Sequence, residues 1–172
     1  MAINKDFLKE MFIEWKNILL KPKKTLSEFP DHKLSISTLY ILIAGFITSL
    51  VFTIIAIIMG QSIVGAIFFT PIFVVISVYF TGLFVWIIGK LFGTEINLVR
   101  WLSMFLAAWA PIGALSGIQF IGFFAYIYGF YILYLSTKNF MKLSTIKSIS
   151  VLLIYIVILV ILPALLLTNY VV

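Results

Sequence analysis

From Leu34 to Gly89 the chain runs for 56 residues without one Asp, Glu, Lys or Arg. A soluble domain does not carry such a run, because about a quarter of its residues are charged. One helix crosses the hydrocarbon of a bilayer in about 20 residues, so this run is long enough for two spans. Met59-Gly60-Gln61-Ser62, a glycine followed by two polar residues, supplies the break between them. Residues 101–137 form a second uncharged run, divisible at Ser116-Gly117-Ile118-Gln119, and residues 148–172 form a third. The fold class expected is all-α: a polytopic integral membrane protein with five transmembrane helices, at about 34–59, 63–89, 98–116, 119–136 and 148–170. Composition agrees, with 63% hydrophobic and 10% charged residues in 172.

Lys and Arg in short loops bias those loops toward the cytoplasm. Seven lysines precede the first span, Lys90 and Arg100 lie between the second and third, and Lys138, Lys142 and Lys147 lie between the fourth and fifth. All 12 positive charges therefore fall on one side of a five-span chain, which places the N-terminus in the cytoplasm and the C-terminus outside. The membrane expected is a prokaryotic cytoplasmic membrane. The first apolar run starts only after Lys33, too late for a cleaved signal peptide, so the first span is expected to act as its own insertion signal. The net charge of +6 is explained by loop topology, and a nucleic-acid partner is not expected.

Residues 1–33 read as a cytoplasmic segment. Phe7, Leu8, Met11, Phe12, Trp15, Ile18 and Leu19 recur at helical spacing, with Lys5, Lys9, Glu10, Glu14 and Lys16 opposite. This is the pattern of an amphipathic helix, suited to lying on the inner membrane surface, docking on the bundle or binding a partner. Lys21-Pro22-Lys23-Lys24 should break it, and Thr25-Leu26-Ser27-Glu28 offers a capping box for a further short turn. The basic cluster Lys21, Lys23 and Lys24 also suits anionic lipid at the cytoplasmic face. Lys90, Glu95 and Arg100 mark a second cytoplasmic connection, with Phe92 and Gly93 in its turn, Thr94 or Asn97 as helix cap, and Trp86 and Trp101 at interface depth. Lys138, Lys142 and Lys147 mark a third.

Small residues recur four apart inside the spans. They are Gly45 and Ser49 in the first, Ala110, Gly113, Ala114 and Gly117 around Pro111 in the third, and Ala125 and Gly129 in the fourth. Such residues let helix backbones approach closely in lipid, within one chain or between copies in a homo-oligomer. The prolines Pro71, Pro111 and Pro163 each remove a backbone donor, and Pro111 among its small neighbours suggests a narrow helix for the middle of a bundle. No cysteine is present and His32 is the one histidine, so neither a disulfide framework nor a His/Cys metal cluster can be built. No catalytic set and no cofactor motif can be assembled, and His32 is expected to be a solvated interfacial residue. The polar residues at membrane depth, among them Thr48, Ser49, Thr53, Thr70, Ser77, Thr81, Tyr126, Tyr128, Tyr131 and Tyr134, suit interhelical hydrogen bonds or an uncharged pore.

Three stretches carry a family resemblance: NILLKPKKTLSEF (17–29), KLFGTEINLVRWLSMFLAAWAPIG (90–113) and YIYGFYILYLSTKNFMKLSTIKSISVLL (126–153). An entry segment, an FG turn before a helix with small residues and a proline, and a fourth span leading through a basic loop to a fifth resemble the Yip (Ypt-interacting protein) domain family of five-span membrane proteins. The resemblance implies an adaptor or membrane-organising role, in trafficking or membrane homeostasis. Eukaryotic members are associated with prenylated Rab-type GTPases, but their acidic, Gly-Pro-containing N-terminal motif has no counterpart in residues 1–33, so a small-GTPase partner is not carried over. The partners expected are the lipid bilayer, anionic lipid, and a further copy or another membrane protein. The competing function is a small transporter or channel for an uncharged solute or lipid.

Overall fold

A computed structural model of the chain describes residues 5–60 and 66–161. Its elements are α1 (Lys5–Leu20), α2 (Pro22–Ser27), α3 (Leu34–Ile58), α4 (Ala66–Leu91), α5 (Leu98–Ser116), α6 (Gln119–Leu135) and α7 (Thr145–Ile156). π-helical turns extend α6 through Ser136–Phe140 and α7 through Val157–Ile161. Among the described residues there is no strand.

The five-span expectation is corrected here: four described helices, α3 to α6, are long and apolar enough to cross a bilayer. The 12-residue α7 is about 18 Å long at 1.5 Å per residue, short of a hydrocarbon core of about 30 Å. Its π-helical continuation reaches Ile161, and the remainder of the span expected at 148–170 lies outside the described residues, as do Gln61 and Ser62 of the first expected break.

The bundle is built around α5. Every residue from Trp101 to Ala108 is buried, as are Ala110, Pro111 and Ile112, so this helix is covered all round. It packs against α3, α4 and α6, while α3 also packs on α4, and α7 packs against α4 and α6. The outer helices instead leave Phe46, Phe52, Phe68, Phe73, Phe80, Phe120 and Phe123 exposed, the distribution that lipid requires. Trp101 is not at an interface. Its ring is fully buried and its indole N–H donates to the Gly82 carbonyl at 2.7 Å. Trp86 is half-buried and donates to the Ile96 carbonyl at 3.0 Å, tying the end of α4 to the turn that follows it.

Close approach of backbones occurs at two of the small residues. A methyl at Gly45 would lie 2.8 Å from the Pro71 Cα on α4, and one at Gly117 would lie 2.9 Å from the Thr48 carbonyl oxygen on α3. A methyl at Gly129 would meet the rim of the Trp109 ring at 3.0 Å, whereas one at Gly113 would find nothing closer than the Ile41 Cδ1 at 3.7 Å. The Gly113 carbonyl accepts from the Thr48 hydroxyl at 2.5 Å and from the Ser116 hydroxyl at 2.6 Å, so hydrogen bonds as well as contact join α3 to α5.

Alanine favours helix over glycine, so a loss of stability on Gly→Ala reports contact rather than propensity. Gly45→Ala and Gly117→Ala should each lower stability by about 1–3 kcal/mol, because backbone and not a flexible side chain stands in the way. Gly113→Ala should not. Thermal unfolding of the three variants in one mild detergent decides it.

Candidate functional site at the charged end

Successive helices run in opposite directions, so the ends of α4 and α6 meet the starts of α3, α5 and α7 at one end of the bundle. Hydrogen bonds across that end hold the connecting segments together. The Ser103 hydroxyl donates to the His32 carbonyl at 2.8 Å, the Thr94 hydroxyl to the Met141 carbonyl at 3.0 Å, and the Lys147 ammonium to the Phe92 carbonyl at 2.8 Å. Every Asp, Glu, Lys and Arg of the chain lies in these segments, in α1 and α2, or in a helix turn next to them.

Asn97 caps α5, its side chain accepting from the Val99 N–H at 2.8 Å. Thr94 is released from capping and is buried in its bond to Met141. Gly93 has φ +91°, a left-handed value that costs glycine nothing, and Lys142 adopts φ +56° without that freedom. The capping box expected at Thr25 to Glu28 does not form. Thr25 lies inside α2, with its hydroxyl 2.9 Å from the Lys21 carbonyl and 3.1 Å from that of Asn17, because Pro22 already starts a helix at its first position.

A cleft of about 490 Å³ opens at this end. Gly93, Glu95 and Arg100 line one side, Asn139 and Lys142 another, and Ser27 and Phe29 a third. Phe29 and Phe140 meet edge to face at 6.2 Å beneath it, and the Arg100 guanidinium lies 5.7 Å above the Phe140 ring and 2.9 Å from Asp31. The Asn139 side-chain N–H group is buried with no partner among the described residues. The remaining charged candidates lie elsewhere. Lys138 turns back to the Tyr134 hydroxyl at 3.2 Å, and Lys21, Lys23 and Lys24 line a shallow depression with Leu20, Pro22 and Tyr131. Ser27 borders both hollows.

Helix α1 docks on α5. Phe7, Met11, Trp15 and Ile18 are buried against the bundle, the Tyr128 hydroxyl donates to the Leu19 carbonyl at 2.8 Å, and Phe12, Ile13 and Leu20 stay exposed. His32 is not solvated as expected. Its Nε2 lies 2.7 Å from the Glu14 carboxylate, and the Tyr40 hydroxyl reaches the same oxygen at 3.4 Å. The hydrogen bond to Glu14 raises the His32 pKa above its usual 6.5, against the opposing effect of burial and with help from the charges of Glu14 and Glu10. Phe29, Phe140, Met141 and the His32–Glu14 pair escaped the sequence reading because residues far apart in the chain assemble them. No metal-binding group of three or more His, Cys, Asp or Glu exists among the described residues.

The family model described as the Yip1 domain matches residues 16–167. No curated protein and no solved structure matches the chain.

Because the His32 pKa is raised on folding, the stability it lends to α1 docking is complete below about pH 6.5 and is lost as pH rises through the raised value. Hydrogen exchange of α1 should therefore be slower at about pH 5.5 than at about pH 8, after correction for the intrinsic rate. In His32→Gln the difference should vanish.

Proposed function

The chain belongs to the Yip1 domain family of membrane proteins, and from that membership we propose a non-enzymatic adaptor or membrane organiser that works through its charged end. Twelve positive charges at that end favour the cytoplasmic side, where soluble partners are found. The assembled cleft is the observation that carries the reading. Three separate segments contribute to it, and it presents Glu95, Arg100 and Lys142 together. Both signs of charge suit a protein segment with its own mixed charges, since an anionic headgroup would meet Glu95.

The depression at Lys21, Lys23 and Lys24 has a single sign and suits anionic lipid, at about 1 kcal/mol per lysine. Helix α1 supports this division of work. Its buried face grips the bundle, while Phe12, Ile13 and Leu20, with Lys9 and Lys16 between them, form a second face fit for the inner membrane surface. A second reading, a small transporter or channel for an uncharged solute or lipid, is supported by an uncharged cavity among α4, α5, α6 and α7.

Two measurements test the adaptor. A reporter before Met1 should be active inside the cell; activity outside would put the charged end away from soluble partners. Glu95→Lys should abolish recovery of a specific co-purifying protein with insertion and lipid retention intact, whereas joint reversal of Lys21, Lys23 and Lys24 to Glu should lower retention of phosphatidylglycerol. If neither variant changes either quantity, the charged end is not the working surface.

A further inference from the structure

Helix α1 touches the bundle at the depth where an interfacial helix lies. Tyr40, whose ring meets that of Phe7 at 5.6 Å, stands six residues into α3, about 9 Å from the charged end at 1.5 Å per residue. The bilayer beside the bundle can therefore receive α1 without a change of depth. In water, burial of Phe7, Met11, Trp15 and Ile18 would decide in favour of docking. Beside a bilayer it does not, because acyl chains are as apolar as the bundle and a Trp ring suits the interface.

Polar contacts then decide, and they are mixed. Docking gains the His32–Glu14 contact at 2.7 Å and the bond from the Tyr128 hydroxyl to the Leu19 carbonyl at 2.8 Å. Against these, the second Glu14 oxygen and the Trp15 indole N–H are buried with no partner among the described residues. A carboxylate buried on docking needs a positive partner, and His32 supplies one only when protonated. Glu14 and Glu10 act on the imidazole from α1, and from α3 the Tyr40 hydroxyl reaches the same Glu14 oxygen as His32. Asp31 and Lys33 flank His32 in the chain, and Asp31 holds Arg100, the one charged residue of α5. Docking thus favours the protonated imidazole, and by linkage protonation favours docking.

The segment that carries His32 also forms a wall of the cleft at the charged end. Phe29 lines the cleft and sets its ring edge to face with that of His32 at 5.4 Å, while Asp31 grips Arg100, which lines another wall. We propose that α1 is a proton-operated strap: with His32 protonated it docks on the bundle and holds residues 29–32 in place as a wall of the cleft, and with His32 neutral it rolls onto the adjacent bilayer and frees that wall. That the freed wall alters partner binding rests on the adaptor reading; the movement of α1 does not.

The test uses the full chain in nanodiscs of phosphatidylcholine and phosphatidylglycerol. The chain has no cysteine, so introduced ones are unique sites for spin labels. Labels at Lys9→Cys on α1 and Lys90→Cys at the end of α4 report docking, and labels at Ser27→Cys and Glu95→Cys, on two sides of the cleft, report its width. Between about pH 5.5 and about pH 8 the ratio of long to short Lys9–Lys90 distances should rise at least about threefold, and the Ser27–Glu95 distribution should broaden with it. His32→Gln should remove the pH dependence, and Glu14→Gln should do the same, so that one variant serves where the other fails to fold. Tyr128→Phe should enlarge the long population at both pH values without changing its dependence on pH. A Lys9–Lys90 distance that ignores pH, or that still responds to it in His32→Gln and Glu14→Gln, would overturn the strap. Release of α1 with an unchanged Ser27–Glu95 distribution would overturn its hold on the cleft. These distances need no partner, so failure of the adaptor reading, which shows in co-purification with Glu95→Lys, is scored separately.

Discussion

Hydrocarbon offers a peptide group no hydrogen-bond partner, and the rest of this structure follows from that constraint. Each long apolar run satisfies its backbone within its own helix, and the charged residues collect where water begins. The helices then gain little by leaving lipid for one another's apolar side chains, so association depends on close approach and on polar contacts between helices. Gly45 against Pro71, Gly117 against Thr48, and the Thr48 hydroxyl on the Gly113 carbonyl are these contacts. They hold α3 to both α4 and α5, and α5 becomes the helix that all its neighbours cover.

The charged end is organised by different physics. Here side chains reach across segments that have no helical hydrogen bonds to offer, and the carbonyls of Met141, Phe92 and His32 are satisfied by Thr94, Lys147 and Ser103. Helix α1 is held by buried apolar side chains and by the His32–Glu14 pair, an interaction whose strength depends on a proton.

Inside the bundle, hydroxyls serve two purposes. Thr48, Ser37 and Ser103 spend theirs on partners within the fold, the last two meeting at 3.0 Å, whereas Thr70, Ser77 and Tyr126 gather around a groove among α4, α5, α6 and α7. Sequence places Thr48, Thr70, Ser77 and Tyr126 alike at membrane depth but cannot tell the two uses apart. A threonine facing a neighbouring carbonyl and a threonine facing a groove look alike until the helices are packed.

Much of the architecture was legible in the residues themselves. Charge-free runs, Gly60 and the Ser116–Gln119 break marked helices and turns, because desolvation of a charge costs too much for an apolar run to be anything but buried or in lipid. The 17–29, 90–113 and 126–153 stretches pointed to the family that the model over residues 16–167 bears out. Helix contacts were not legible. Gly113 and Gly117 carry the same sequence signal and both face α3, yet only Gly117 meets backbone, since the separation of the two helices at each level decides which glycine makes the close contact. Trp101 looked like an interfacial ring and is a core residue, because the Gly82 carbonyl on a different helix accepts its N–H. The cleft and the His32–Glu14 pair depend likewise on residues distant in the chain. Periodicity and charge report how each segment meets its solvent, and tertiary packing alone decides which segments meet one another.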